Sequence, residues 1–184
     1  LIYRLAQALG WSHSKRSIGA EAMAAEVAAD VGPRRPQLLP AESSAPGDLG
    51  HDLQDAQGQN LPLLLWAGWC AQTGRTPDAD DIEAACDTAR VWQETAVAPL
   101  RAIRRQLKSR IPDFDDDDRE AVRSQVKAIE LDAERRLLAA LEALAPAPSG
   151  AARPVLPALI AVAREWSPIT PRRSLELLAD RLPA

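Results

Sequence analysis

Leu61–Ala71 reads LPLLLWAGWCA, eleven residues without a charge or a strongly polar group, set between Gln57-Gly58-Gln59-Asn60 and the Thr73-Gly74 step. A helix that is apolar on every side is one that the rest of a fold wraps around, so this stretch is the expected centre of the core. Asn60 is placed to cap its first turn and Gly74 to end it in a left-handed conformation, which bounds a central helix at 61–73. The apolar run is well short of the roughly 20 residues that cross a bilayer. The N-terminus shows no basic region followed by a long apolar segment, so no membrane or export role is expected.

Outward from this helix the pattern is helical throughout. Alanine, leucine, glutamate and arginine dominate, β-branched and aromatic residues are scarce, and no stretch alternates with period two over strand length. The fold class is all-α, a single bundle of six to eight helices. Thr76-Pro77 is expected to open the next helix, with Ile82, Ala85, Cys86, Ala89, Trp92 and Ala96 at three-four spacing toward the core. Pro99 should kink or restart it, after which Leu100, Ile103 and Leu107 continue the apolar side. Asp115–Asp118 begin a long helix at about 115–145, whose seam is Val122, Val126, Ile129, Ala133, Leu137, Ala140 and Leu144. That narrow seam suits a bundle helix or a coiled-coil arm reaching to a partner. Residues 146–150 read as a linker, followed by a helix around Val155–Trp166 and a last helix launched by Thr170-Pro171.

Toward the N-terminus, residues 1–47 hold two short helical stretches and the proline-rich run from Gly32 to Gly47, which reads as linker. The expected division is therefore an N-terminal extension over 1–47 and a helical domain over 48–184. A chain of 184 residues needs no staples, and Cys70 and Cys86 are too few for a disulfide framework. In an antiparallel helix pair they would sit roughly 8 Å out of step, which makes both buried thiols in a reducing cytoplasm.

The net charge of −4 gives no general attraction to nucleic acid or anionic lipid. Locally, Arg101, Arg104, Arg105, Lys108 and Arg110 form a basic stripe, and the first four make a candidate interaction face. No aromatic residue interleaves them, so the stacking pattern of single-strand binders is absent and a nucleic-acid partner is not expected. Asp113, Asp115 and Asp117 alternate as calcium ligands do, but Asp118 stands where the loop needs glycine and Ser124 where it needs glutamate. Trp66, Trp69 and Trp92, with Asp55 and Asn60 near the central helix's start, form a candidate apolar pocket. His13 and His51 have no nearby nucleophile pattern, and glycine-rich phosphate loops are missing. No catalytic residue, metal ligand or cofactor is assigned.

LQDAQGQNLPLLLWAGW at Leu53–Trp69, the Thr-Gly-Arg turn at 73–75, and VWQETAVAPLRAIRRQLK at Val91–Lys108 occur in an order that resembles a family of uncharacterised proteobacterial helical proteins. It is the domain of unknown function 2390 type, and the resemblance covers about residues 49–145. It implies an all-helical bacterial cytoplasmic protein and carries no activity, cofactor or catalytic residue. Family members begin with an aromatic-rich helix directly before the leucine-glutamine-aspartate element, a place taken here by the proline-rich run.

The leading expectation is a non-enzymatic helical interaction protein, an adaptor or regulator that binds another protein through the long helix or the Arg101–Lys108 face. A homo-oligomer through the long helix is a variant of it. The alternative is a small-molecule or cofactor binder with the tryptophan-lined pocket, an enzyme among the options.

Overall fold

A computed structural model describes residue 49 and residues 52–182. The expected N-terminal helices, the proline-rich run, His13 and His51 lie outside the described residues. Helix α1 spans Leu61–Gln72 and every residue from Leu61 to Ala71 is buried, as its uniform apolarity predicts. The Asn60 side chain accepts the Leu63 N–H at 3.0 Å, and Pro62 sits in the first turn, where a missing N–H costs nothing. At the other end Thr73 Oγ1 donates to the Trp69 carbonyl, Gly74 takes a φ of 69°, and the Arg75 N–H closes on Cys70 O at 2.8 Å.

Helix α2 spans Ala79–Trp92 and buries Ala85, Cys86 and Ala89, the stripe read from the sequence. It starts later than the Thr76-Pro77 step suggests. Asp78 is the N-cap, its side chain accepting the Asp81 N–H while the Asp81 side chain accepts the Asp78 N–H. Two orphan donors are satisfied at once by that exchange, which a threonine at 76 cannot match. The Thr76 hydroxyl instead pairs with Ser149 Oγ at 2.9 Å.

The chain runs on through a π-helical turn at Gln93–Val97 into α3, Ala98–Gln106. Pro99 has no N–H for the carbonyl four residues back, Thr95, which lies within that widened turn. The disruption thus falls before the proline, as a bulge in a continuous helical run. Helix α4, Asp116–Leu144, is capped by Asp115 and returns antiparallel to α3. Its buried face is Glu130, Ala133, Glu134, Leu137, Leu138 and Leu141. Of the seam read from the sequence, Ala133 and Leu137 are buried, whereas Val122, Ile129, Ala140 and Leu144 are exposed.

Helices α5, Val155–Trp166, and α6, Arg172–Arg181, complete the bundle. The α6 helix begins after Pro171, which is its N-cap residue and makes no side-chain cap. The 146–150 linker is pinned: Ser149 and Gly150 donate their N–H groups to Gly74 O, and the Arg153 N–H reaches Ala71 O at 2.9 Å. Leu137 and Leu141 of α4, Leu159 of α5, and Leu175 and Leu178 of α6 close around α1. Each fully buried leucine contributes about 1.5–3 kcal/mol. Among the described residues the fold is six α-helices with no strand.

Candidate functional site

The structure separates the three tryptophans grouped in the sequence. Trp66 is completely buried and forms the floor of a cleft between α1 and α5. Trp69, one turn later, is buried elsewhere, with the Arg75 guanidinium 4.3 Å from its ring centre. Trp92 lines a different, shallower groove between α2 and α4 with Val91, Leu137 and Ala140, and its Nε1–H donates to Ala133 O at 2.8 Å. Asn60 is spent as the α1 cap. The Asp55 side chain lies outside the described residues.

The polar approach to α1 stitches chain segments together. Gln57 Nε2 donates to Ser174 Oγ, Gln59 Nε2 to Ile169 O, and Trp166 Nε1 to Gly58 O at 2.8 Å. With Asn60 on the first turn, the N-terminus of α1 is closed by the α5–α6 end of the chain.

The Trp66 cleft has a volume of about 330 Å³. Its walls are Ala67 and Ala71 of α1, Ile82 of α2, and Ala158, Ala161 and Val162 of α5. Arg75, Thr76 and Arg153 line it as well, together with Pro77, Pro154 and Pro157. Arg75 is placed by the turn that ends α1, and Arg153 by its backbone bond to Ala71 O. The α5 helix opens beside them at Pro154 with no side-chain cap. No carboxylate lines the cleft, and among the described residues neither guanidinium is in an ion pair.

The basic stripe is divided. Arg101 Nε bonds Glu130 Oε1 and its Nη2 bonds Glu134 Oε1, both at 3.0 Å, while Arg104 grips Glu130 through Nε and Nη2. The side chains of both glutamates and of Arg101 are largely shielded from water. Burial pushes the Glu134 carboxyl up to about 7, because its share of Arg101 does not offset the lost hydration. Burial also acts upward on Glu130, but hydrogen bonds and charge from Arg104 and Arg101 outweigh it and hold that carboxyl below its ordinary range. Arg105 and Lys108 remain exposed on the outer side of α3 and beyond its end.

Cys70 and Cys86 are buried free thiols, pushed up to about 12 and about 11 mainly by loss of hydration. Among the described residues no group of three His, Cys, Asp or Glu side chains could hold a metal ion. Nor is any described helix long and apolar enough to cross a membrane. Sequence reasoning missed Glu130, Glu134 and Arg153. The glutamates lie off the apolar seam read for that helix and their arginine partners sit on another helix, while Arg153 comes to the cleft that Arg75 also lines only through the folding of the 149–153 strap.

Among the described residues these features define an all-helical bundle with a wrapped central helix, a helical hairpin tied by ion pairs, and a cleft lined by Arg75 and Arg153. The chain belongs to the family described as "Protein of unknown function (DUF2390)", whose model matches residues 50–141. No curated protein and no solved structure matches the chain.

Proposed function

We propose that the protein is a non-enzymatic interaction protein that offers the α3–α4 hairpin, residues 98–129, to another protein. The observation that carries this reading is the hairpin's surface. No residue from 98 to 129 is buried, yet Ile103, Ile111, Phe114, Val122 and Ile129 are each at least 40% exposed. A partner that covers these side chains would supply the apolar burial that the hairpin lacks on its own.

The Arg101–Glu134 and Arg104–Glu130 pairs support the same reading, since they fix the base of the hairpin and leave its outer faces for contact. Near its tip Lys108 and Arg110 stand beside Asp113 and Asp115–Asp118, with Arg110 3.8 Å from Asp116, so the exposed apolar side chains and not net charge would select the partner. The poor catalytic inventory supports binding over turnover.

The test is affinity purification from the cells that make the protein, with the wild type beside a Val122→Glu/Ile129→Glu variant of unchanged circular dichroism. A protein recovered in fixed proportion with the wild type and lost with the variant is the expected result. Recovery of the same proteins by both chains overturns the reading. Light scattering on the purified chains separates a second copy of this chain from a different partner.

A further inference from the structure

We infer that the cleft floored by Trp66 binds a small organic acid, an anionic head held by Arg75 and Arg153 with its apolar body laid between α1 and α5. This site shares no residue with the hairpin of residues 98–129 and stands independently of its role.

Arg75 and Arg153, and among the described residues no carboxylate, line the same cleft of about 330 Å³. Arg75 is held over the Trp69 ring and Arg153 is exposed, so both cations can be approached from solvent by an anion that enters the cleft. Guanidinium presents a planar fork of donors matched to carboxylate or phosphate oxygens, so two of them favour an oxyanion head over a neutral polar group. A cationic ligand finds no counter-charge in the lining.

Most of the remaining lining is apolar. Trp66, Ala67, Ala71, Ile82 and Val162 offer carbon and aromatic surface, so the body of the ligand gains from leaving water. The cleft falls within the range of small-ligand sites, concave and apolar with a few convergent polar groups. No side chain that lines it is a nucleophile poised by a base, and the Thr76 hydroxyl is engaged with Ser149 Oγ. The assignment is therefore to binding without turnover. Arg75 follows the α1 C-terminus and Arg153 precedes α5, so a bound acid ties the 149–153 strap to the end of the central helix.

Calorimetric titration of the full chain with sodium octanoate, 1-octanol and inorganic phosphate tests the inference. Octanoate should bind one to one, with octanol and phosphate each about ten-fold weaker or more, as expected when a charge-assisted contact or the apolar body is removed. Arg75→Gln/Arg153→Gln should weaken octanoate by a similar factor and leave octanol unchanged. Ala161→Trp, which fills the cleft and keeps both charges, should abolish octanoate binding while the thermal midpoint stays near that of the wild type. Equal affinity for octanoate and octanol, octanoate binding that survives either variant, or no octanoate binding by the wild type overturns the proposal.

Discussion

Gly74 has a φ of 69°, and a Cβ built there would meet the Gly150 carbonyl oxygen at 2.0 Å. Backbone cannot swing aside as a side-chain tip can, so an alanine at 74 must both enter a left-handed conformation and lift the 149–150 strap that bonds Gly74 O. Gly58 is the natural control, with a φ of 63° and nothing within 4 Å of an added Cβ. Gly58→Ala is expected to cost about 1 kcal/mol of conformational strain. Gly74→Ala should cost at least about 1 kcal/mol more, read from urea midpoints at constant slope. Equal costs would show that the strap does not press on the turn. Local chemistry made half of this legible. That Gly74 ends α1 follows from its own backbone needs, as Asn60 capping follows from its side chain. The contact with Gly150 was not legible, because a partner brought by tertiary folding leaves no mark in the neighbouring residues. Thr76 shows the same limit, since a plausible cap lost its place to the reciprocal Asp78–Asp81 exchange.

At the scale of elements, α1 and α4 mark two extremes of legibility. An apolar helix has no face to misjudge, and Leu61–Gln72 matches the sequence reading almost to the residue. An amphipathic helix is read by assuming that charge points outward, and α4 breaks that assumption. Arg101 and Arg104 on α3 supply counter-charge, so Glu130 and Glu134 turn in and rotate the buried face away from Ile129, Ala140 and Leu144. Nothing within α4 announces those partners. The same rotation leaves no residue from 98 to 129 buried, and the hairpin is joined by the Arg101 and Arg104 ion pairs at its base and by the Arg119 bond to Leu107 O toward its tip. Local opening should therefore be easy there. Hydrogen exchange is expected to find amides of Ala98–Gln106 and residues 116–129 less protected than those of Leu61–Gln72 by about ten-fold or more, equivalent to about 1.4 kcal/mol. Uniform protection across both regions would mean that hairpin and body open as one unit.

For the whole molecule, the two buried glutamates tie global stability to pH in opposite senses. Glu134 binds its proton more tightly folded than unfolded, its carboxyl having risen from an ordinary 4.5 to about 7. The stability it lends is fully present below about pH 4.5 and is lost as pH rises through 7. Glu130, held below its ordinary value, lends stability above that value and loses it as pH falls through its folded value. Between pH 4.5 and 7 the Glu134 effect acts alone within this cluster. Glu134→Gln removes that titration and keeps an oxygen to accept the Arg101 bond at the same place. Urea unfolding of both chains across this interval should find the wild type losing stability relative to the variant by up to about 3 kcal/mol, each ten-fold gain in proton affinity being worth about 1.4 kcal/mol. The gap should open with rising pH and level off above the folded value of Glu134. Parallel curves for the two proteins would place the Glu134 carboxylate in contact with water, and the charge lock at the hairpin's base would then be an exposed ion pair of little energetic weight.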